Sequence, residues 1–216
     1  MTEETDIAVL EAPTPVATPP APLKMTYEEF LAWVDEDTRA EWVNGEVVFM
    51  GQVSKLHQEV GRFLIVLLNL FVEARQLGEI FYESFPMKPG ADLPGRLPDI
   101  LFVAQENLSR AKAQGLEGPA DLAVEIILPE SRARDRGAKF YEYEQGGVRE
   151  YWMIDPLRKQ AEFYQLGADS LYHLIPPDSA GVYHSLVLPG LWLKVEWLWQ
   201  EPLPTALSVL KEWKLI

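Results

Sequence analysis

Residues 119–156 read PADLAVEIILPESRARDRGAKFYEYEQGGVREYWMIDP, and the fold turns on them. Leu122, Val124, Ile126 and Leu128 share one face of an extended strand, and Ala123, Glu125 and Ile127 share the other. A strand that is apolar on both faces is normally covered on both sides. Glu125 is the exception in that pattern, because an unpaired buried carboxylate costs several kcal/mol, in rough terms. A cation is the simplest compensation. Pro129 stops the strand, and Ser131 is placed to cap a helix. The spacing predicts that helix over Arg132–Gln145, ended by Gly146-Gly147. Asp135, Lys139 and Tyr143 lie four apart, hence on one helical face, from which the Lys139 ammonium could reach back over the strand end at Glu125. A second strand is expected over Glu150–Ile154, closed by Asp155-Pro156.

Upstream, Leu97-Pro98-Asp99-Ile100-Leu101-Phe102-Val103 reads as another short apolar strand. Proline is tolerated at a strand start, and Asp99 shares a face with Leu101 and Val103. Asp99, Glu125 and Lys139 thus form a set of two carboxylates and one lysine, drawn from two apolar strands and the helix after the second.

Pro98-Asp99, Val124-Glu125-Ile126, Asp135, Lys139, the run Gly147-Val148-Arg149-Glu150-Tyr151-Trp152 and Asp155-Pro156 together resemble the Uma-two family of restriction-endonuclease-like proteins, within the PD-(D/E)XK nuclease superfamily. The resemblance runs from about Met25 to the C-terminus. It includes Thr26-Tyr27-Glu28-Glu29-Phe30, the Glu41–Glu46 segment and His57. One position departs from the superfamily pattern. The lysine usually found two residues after the glutamate would be residue 127, which is Ile127; in chains of this family it has moved to the following helix, here Lys139.

The resemblance implies an α/β fold with a restriction-endonuclease-like core, a mixed central sheet flanked by helices, an N-terminal hairpin and additional C-terminal strands. It implies a divalent-metal-dependent nuclease acting on nucleic acid, with DNA expected. Mg²⁺ prefers oxygen ligands, one or two carboxylates with waters and substrate phosphate, and Asp99 and Glu125 meet that need, with the Ile126 carbonyl completing the shell. Mn²⁺ is the alternative ion. Lys139 would orient the attacking water or offset charge developing at the phosphorus. Glu41 and His57 are second-rank candidates. Read singly, Glu41 and Glu46 are solvated hairpin carboxylates, and His57 is a hydrogen-bonded structural histidine.

At 216 residues without internal repeats, the chain has room for one domain with a sizeable core, expected over 25–216. Residues 1–24, rich in Pro, Ala, Thr and acidic side chains, are expected to be a disordered tail. No long apolar run is present, no secretion signal is read, and no membrane is expected; a cytoplasmic location is. The absence of cysteine excludes disulfides and thiolate zinc sites. No HExxH, phosphate-cradling glycine loop or GxSxG elbow occurs.

The net charge of -14 opposes broad, sequence-independent attraction to nucleic acid. The distribution partly answers this, since Arg132, Arg134, Arg136 and Lys139 cluster beside the candidate site, whereas Glu3, Glu4, Asp6 and Glu11 sit in the tail. The same acidity supports a second reading, a non-catalytic dimeric interaction protein that keeps the nuclease fold. A hydrolase of small phosphate esters is a third. The position of the Lys139 ammonium discriminates between the first two.

Elsewhere, a capped helix is expected from Thr26 to about Val34 and a hairpin about Asn44-Gly45. A long helix over Lys55–Gln76 carries an apolar stripe of Leu56, Val60, Phe63, Leu64, Leu67 and Phe71. A strand is expected over Glu79–Phe85, a loop over Pro86–Gly95, and a mobile or helical connection over Asn107–Glu117. Strand-like runs come next at Gln160–Leu166, Ser170–Ile175, Tyr183–Leu188 and Leu191–Trp199, then a helix near Pro204–Lys214. Trp192, Trp197 and Trp199 are read as core or homodimer contacts.

Overall fold

The computed structural model describes residues 22–35 and 37–216, so most of the expected tail lies outside the described residues. The N-terminal part comprises α1 (Tyr27–Trp33), β1 (Ala40–Val43), β2 (Glu46–Phe49) and α2 (Lys55–Arg75). The middle comprises β3 (Gly78–Tyr82), β4 (Met87–Lys88), β5 (Ile100–Ala104), β6 (Ala111–Lys112), β7 (Gly115–Glu117) and β8 (Leu122–Ile126). Then come α3 (Arg132–Arg134), α4 (Phe140–Gly146), β9 (Glu150–Asp155), β10 (Gln160–Leu166), β11 (Tyr172–Leu174), β12 (Val182–His184), β13 (Trp192–Lys194) and α5 (Ala206–Glu212).

The centre is a six-stranded mixed sheet in the order β11-β10-β9-β8-β5-β3. Its parallel pair is β8 with β9, joined by the helical crossover α3–α4, while β5 runs antiparallel to β8. Because Ile100 pairs with Val124, the start of β5 and the end of β8 meet at one end of the sheet, and this brings Asp99 and Glu125 together.

Alternation along the central strands divides the core in two. Ile100, Phe102, Leu122, Val124, Trp152 and Ile154 face α2, which buries Val60, Phe63, Leu64, Leu67 and Phe71 against them. Each such side chain contributes about 1.5–3 kcal/mol. Leu101, Val103, Ala123 and Met153 face the opposite way, toward Tyr143 of α4 and Met87. Glu125 therefore points to the crossover-helix side. Gly61 lets α2 lie close on β8, for an added Cβ would stand 3.3 Å from Ile126 Cδ1. That approach carries His57, one turn earlier in α2, to the sheet end.

Local chemistry explains the element ends. Thr26 and Glu29 form a reciprocal capping box on α1, and Asn44-Gly45 turns the hairpin with φ of 52° and 87°. Ser54 caps α2 at the His57 N–H. Gly147 closes α4 in the left-handed region, at φ 85°.

Several expected elements change in the structure. The connection over 107–117 contains a 3-10 turn (Gln105–Arg110) followed by β6 and β7, which with β4 make a small sheet. The run expected as one strand at 191–199 is β13 followed by a 3-10 turn over Val195–Trp199. Trp192 packs on Trp197 and Trp213 within the chain. Asp99 precedes β5 rather than lying in it. The helix after β8 widens to π geometry over Asp135–Lys139, a distortion that is frequent at functional sites.

Candidate active site

The widened helix places three side chains inward in register. Asp135, Lys139 and Tyr143 are all buried, and Lys139 is 1% exposed. The Lys139 ammonium stands 2.8 Å from Glu125 Oε1, 2.9 Å from Glu41 Oε1 and 3.5 Å from Asp135 Oδ1. Tyr143 OH donates to Glu125 Oε1 at 2.9 Å. The carboxylate on the buried strand thus has both a cation and a hydroxyl donor, and the lysine is enclosed by acids.

Asp99 is held differently. Its Oδ2 accepts the Ile126 N–H at 2.6 Å, and its Oδ1 lies 3.2 Å from His57 Nε2. Asp99, His57, Glu125, Ile126, Asp135, Lys139 and Arg134 line one pocket of about 30 Å³, walled on the other side by Arg39, Met50 and Gly51 beside the N-terminal hairpin. That volume suits an ion or a water or two.

Glu41 projects from β1 into the same charge cluster and is fully buried. Its Oε2 accepts from Arg96 Nη1 at 2.9 Å, and Oε1 accepts the Leu97 N–H at 3.3 Å in addition to the lysine. Arg96 also donates twice to Glu142, each at 2.6 Å. A continuous chain Glu142–Arg96–Glu41–Lys139–Glu125 therefore ties the hairpin, the loop before β5 and the crossover helix to β8. Glu46, by contrast, pairs with the exposed Lys24 at the surface.

The field of this cluster acts unequally on its acids. Burial alone would raise the Glu41 carboxyl, but Lys139, Arg96 and Arg134 outweigh it and bring it down to about 2. Burial pushes Glu125 well above its ordinary range; Lys139 pulls against that, while the charges of Asp135 and Asp99 add to it. Burial would lower Lys139, yet Glu125, Glu41 and Asp135 together hold it raised, so it stays an ammonium. The upward direction at Glu125 and the charged lysine are compatible because Glu41 supplies a firmly ionised partner.

The donor set fits a hard divalent cation. Asp99 and Glu125 offer carboxylate oxygens beside the Ile126 backbone, and a bound cation would offset both the burial that mainly raises Glu125 and the smaller push from the charges of Asp135 and Asp99. Asp135, which also lines the pocket, has a buried Oδ1 without a hydrogen-bond partner among the described residues. No group of three or more His, Asp or Glu able to hold an ion occurs among the described residues, so such an ion would take much of its shell from water and substrate.

Of the expected site residues, Asp99, Glu125, Ile126, Lys139 and His57 line this pocket, and Glu41 joins through Lys139. Asp99 meets His57 rather than Lys139. Asp135 and Tyr143 are already placed on the Lys139 face by their spacing. Sequence reasoning misses Arg96 and Glu142, which carry no local signal, because nothing around an arginine after a Pro/Gly-rich loop or a glutamate on a helix marks the pair as joined.

The family model Uma2, described as "Putative restriction endonuclease", matches residues 27–196. Among solved structures, the chain is similar to a crystal structure described as "a putative nuclease belonging to DUF820" from Anabaena variabilis ATCC 29413. The TM-score is 0.66 at 17% identity, covering 81% of this chain and 97% of that one, a likeness of fold. No curated protein matches the chain.

Proposed function

Because the chain belongs to the Uma2 family, whose model spans most of it, we propose that it is a divalent-metal-dependent nuclease that hydrolyses phosphodiester bonds of DNA. The observation that carries this reading is the fully buried Lys139 ammonium, held between Glu125 and Glu41 in the pocket that also holds Asp99. Buried ion clusters are weak contributors to stability, and carboxylates strongly perturbed by burial and a specific charge partner in a pocket are candidates for a functional site.

In this reading Asp99, Glu125 and the Ile126 carbonyl hold Mg²⁺ or Mn²⁺. When bound, the ion supplies polarisation of the phosphoryl oxygen and lowers the pKa of the attacking water. His57 and the Ile126 N–H fix the two oxygens of Asp99. Tyr143 and Lys139 fix Glu125, and Lys139 offsets negative charge developing at the pocket. Glu41 keeps the lysine charged and in place. A homodimer in the cytoplasm remains the expected working form.

The test is incubation of the purified protein with supercoiled plasmid, single-stranded DNA and RNA at low salt, with Mg²⁺ or Mn²⁺, beside folded Glu125→Ala and Lys139→Ala. Cleavage that chelator stops and both variants lack is the expected result. Equal cleavage by the variants would show that the assigned residues are not the site, and none by the wild type would move the non-catalytic interaction protein ahead, the reading that the charge of -14 favours.

A further inference from the structure

Among the described residues, three lysine or arginine cations lie at the pocket, and they differ in what they have left to bind. Lys139 is sealed and surrounded by carboxylates at 2.8 and 2.9 Å. Arg39, also lining the pocket, is tied to Glu83 and to the Gly51 carbonyl. Arg134 is different. Its nearest carboxylate oxygen, Glu41 Oε2, is 3.7 Å away, beyond hydrogen-bond distance, and that oxygen already accepts from Arg96 at 2.9 Å. Arg134 Nε is buried without a hydrogen-bond partner among the described residues, yet the side chain is 25% exposed. Arg134 thus lines the pocket with its Nε buried beside Glu41, while the side chain as a whole keeps part of its surface open to solvent.

A buried guanidinium N–H without a hydrogen-bond partner is costly and calls for a reason, a bound water, ion or ligand among them. The planar fork of arginine matches the paired oxygens of a phosphate. We propose that Arg134 is the substrate-binding cation of this site: it donates to a non-bridging oxygen of the scissile phosphodiester while Asp99 and Glu125 serve the metal side. This rests on the nuclease reading and adds to it the residue that meets the phosphate. In hydrolysis the water oxygen bonds to phosphorus and the bond to the leaving sugar oxygen breaks. One water proton passes to solvent and the leaving oxygen gains one. The extra charge of the transition state gathers on the non-bridging oxygens, where Arg134 stands. The π turn that begins at Asp135 immediately follows Arg134, so the same distortion that buries Asp135 and Lys139 leaves Arg134 at the rim.

The experiment compares wild type, Arg134→Gln and Arg134→Lys. Binding of a labelled oligothymidylate is read by fluorescence anisotropy in Ca²⁺, and cleavage of the same oligonucleotide is read in Mg²⁺. Arg134→Gln should weaken binding about 10-fold and lower kcat by roughly 10². Arg134→Lys should restore much of the binding but less of the rate, since an ammonium lacks the fork. The melting temperature of Arg134→Gln should stay near that of the wild type, because the ion pair it loses with Glu41 is long.

The outcomes separate this proposal from the nuclease reading. If the wild type cleaves and Arg134→Gln binds and cleaves equally well, the proposal is overturned and the nuclease stands. If the wild type binds, Arg134→Gln does not, and neither cleaves, Arg134 is a phosphate ligand of a protein that is no nuclease. If the wild type binds no oligonucleotide, both fall. If Arg134→Gln fails to fold, its pairing with Glu41 is structural and the proposal is overturned.

Discussion

The Lys139 ammonium lies 2.9 Å from Glu41, a carboxylate on the N-terminal hairpin, almost as near as it lies to Glu125 on the central sheet. The hairpin is thereby built into the site. Removing one member of a buried ion cluster leaves the others uncompensated, which costs about 3–5 kcal/mol. Glu41→Ala should lose stability on that scale in urea unfolding, whereas Glu46→Ala, which breaks only a surface pair, should change it by less than about 1 kcal/mol. Equal effects would show that the hairpin does not support the cluster.

Glu41 also sets an acid dependence. Its folded pKa, about 2, lies below the ordinary value of 4.5, so between those values the unfolded chain binds more protons. Stability contributed by Glu41 is present above pH 4.5 and is lost as pH falls toward 2. The stability gap between wild type and Glu41→Gln should therefore narrow through that window. A gap that is constant with pH would contradict the ionised pairing.

Glu125 has the opposite sign. Its raised pKa means that the folded state favours the protonated form, so its contribution is present at low pH and is lost as pH rises through the folded value. Glu125→Gln resembles the protonated acid and keeps an oxygen that accepts from Lys139 and Tyr143. At pH 7 the variant should melt higher than the wild type while being silent in the cleavage assay, the exchange of stability for activity seen at strained sites. A lower melting temperature would count against the raised pKa.

A cation bound by Asp99 and Glu125 should stabilise only the folded state. At about 100 times its Kd, Mg²⁺ or Mn²⁺ would add roughly 2.7 kcal/mol. Thermal melts of the wild type should rise with added metal and fall back with chelator, and Asp99→Asn should abolish the rise. A metal-induced rise that survives in Asp99→Asn would locate the ion elsewhere.

Much of this is legible in order along the chain. Alternation along 122–128 marks a strand buried on both faces and isolates Glu125 as a carboxylate in need of a cation. The four-residue spacing of Asp135, Lys139 and Tyr143 puts them on one helical side, and the two spacings hold because strand and helix periods are properties of the local backbone. The capping box at Thr26 and the turn at Asn44-Gly45 are local for the same reason. The short apolar strand after Pro98 supplies Asp99 as the second carboxylate, and resemblance to the family adds its expected role.

Local periods leave open which face meets which partner. Glu41 and Glu46 look alike in a hairpin, yet one is enclosed by Lys139 and Arg96 and the other reaches the surface. Arg96 and Glu142 gain their role only when the loop before β5 lies against the crossover helix, and His57 meets Asp99 because α2 sits close over β8. Residue order alone marks the main strands and helices and the need for a charge at Glu125. Which side chains supply that charge is settled by packing, because ion pairing depends on distances through space, and those are set by sheet order and the seating of the helices.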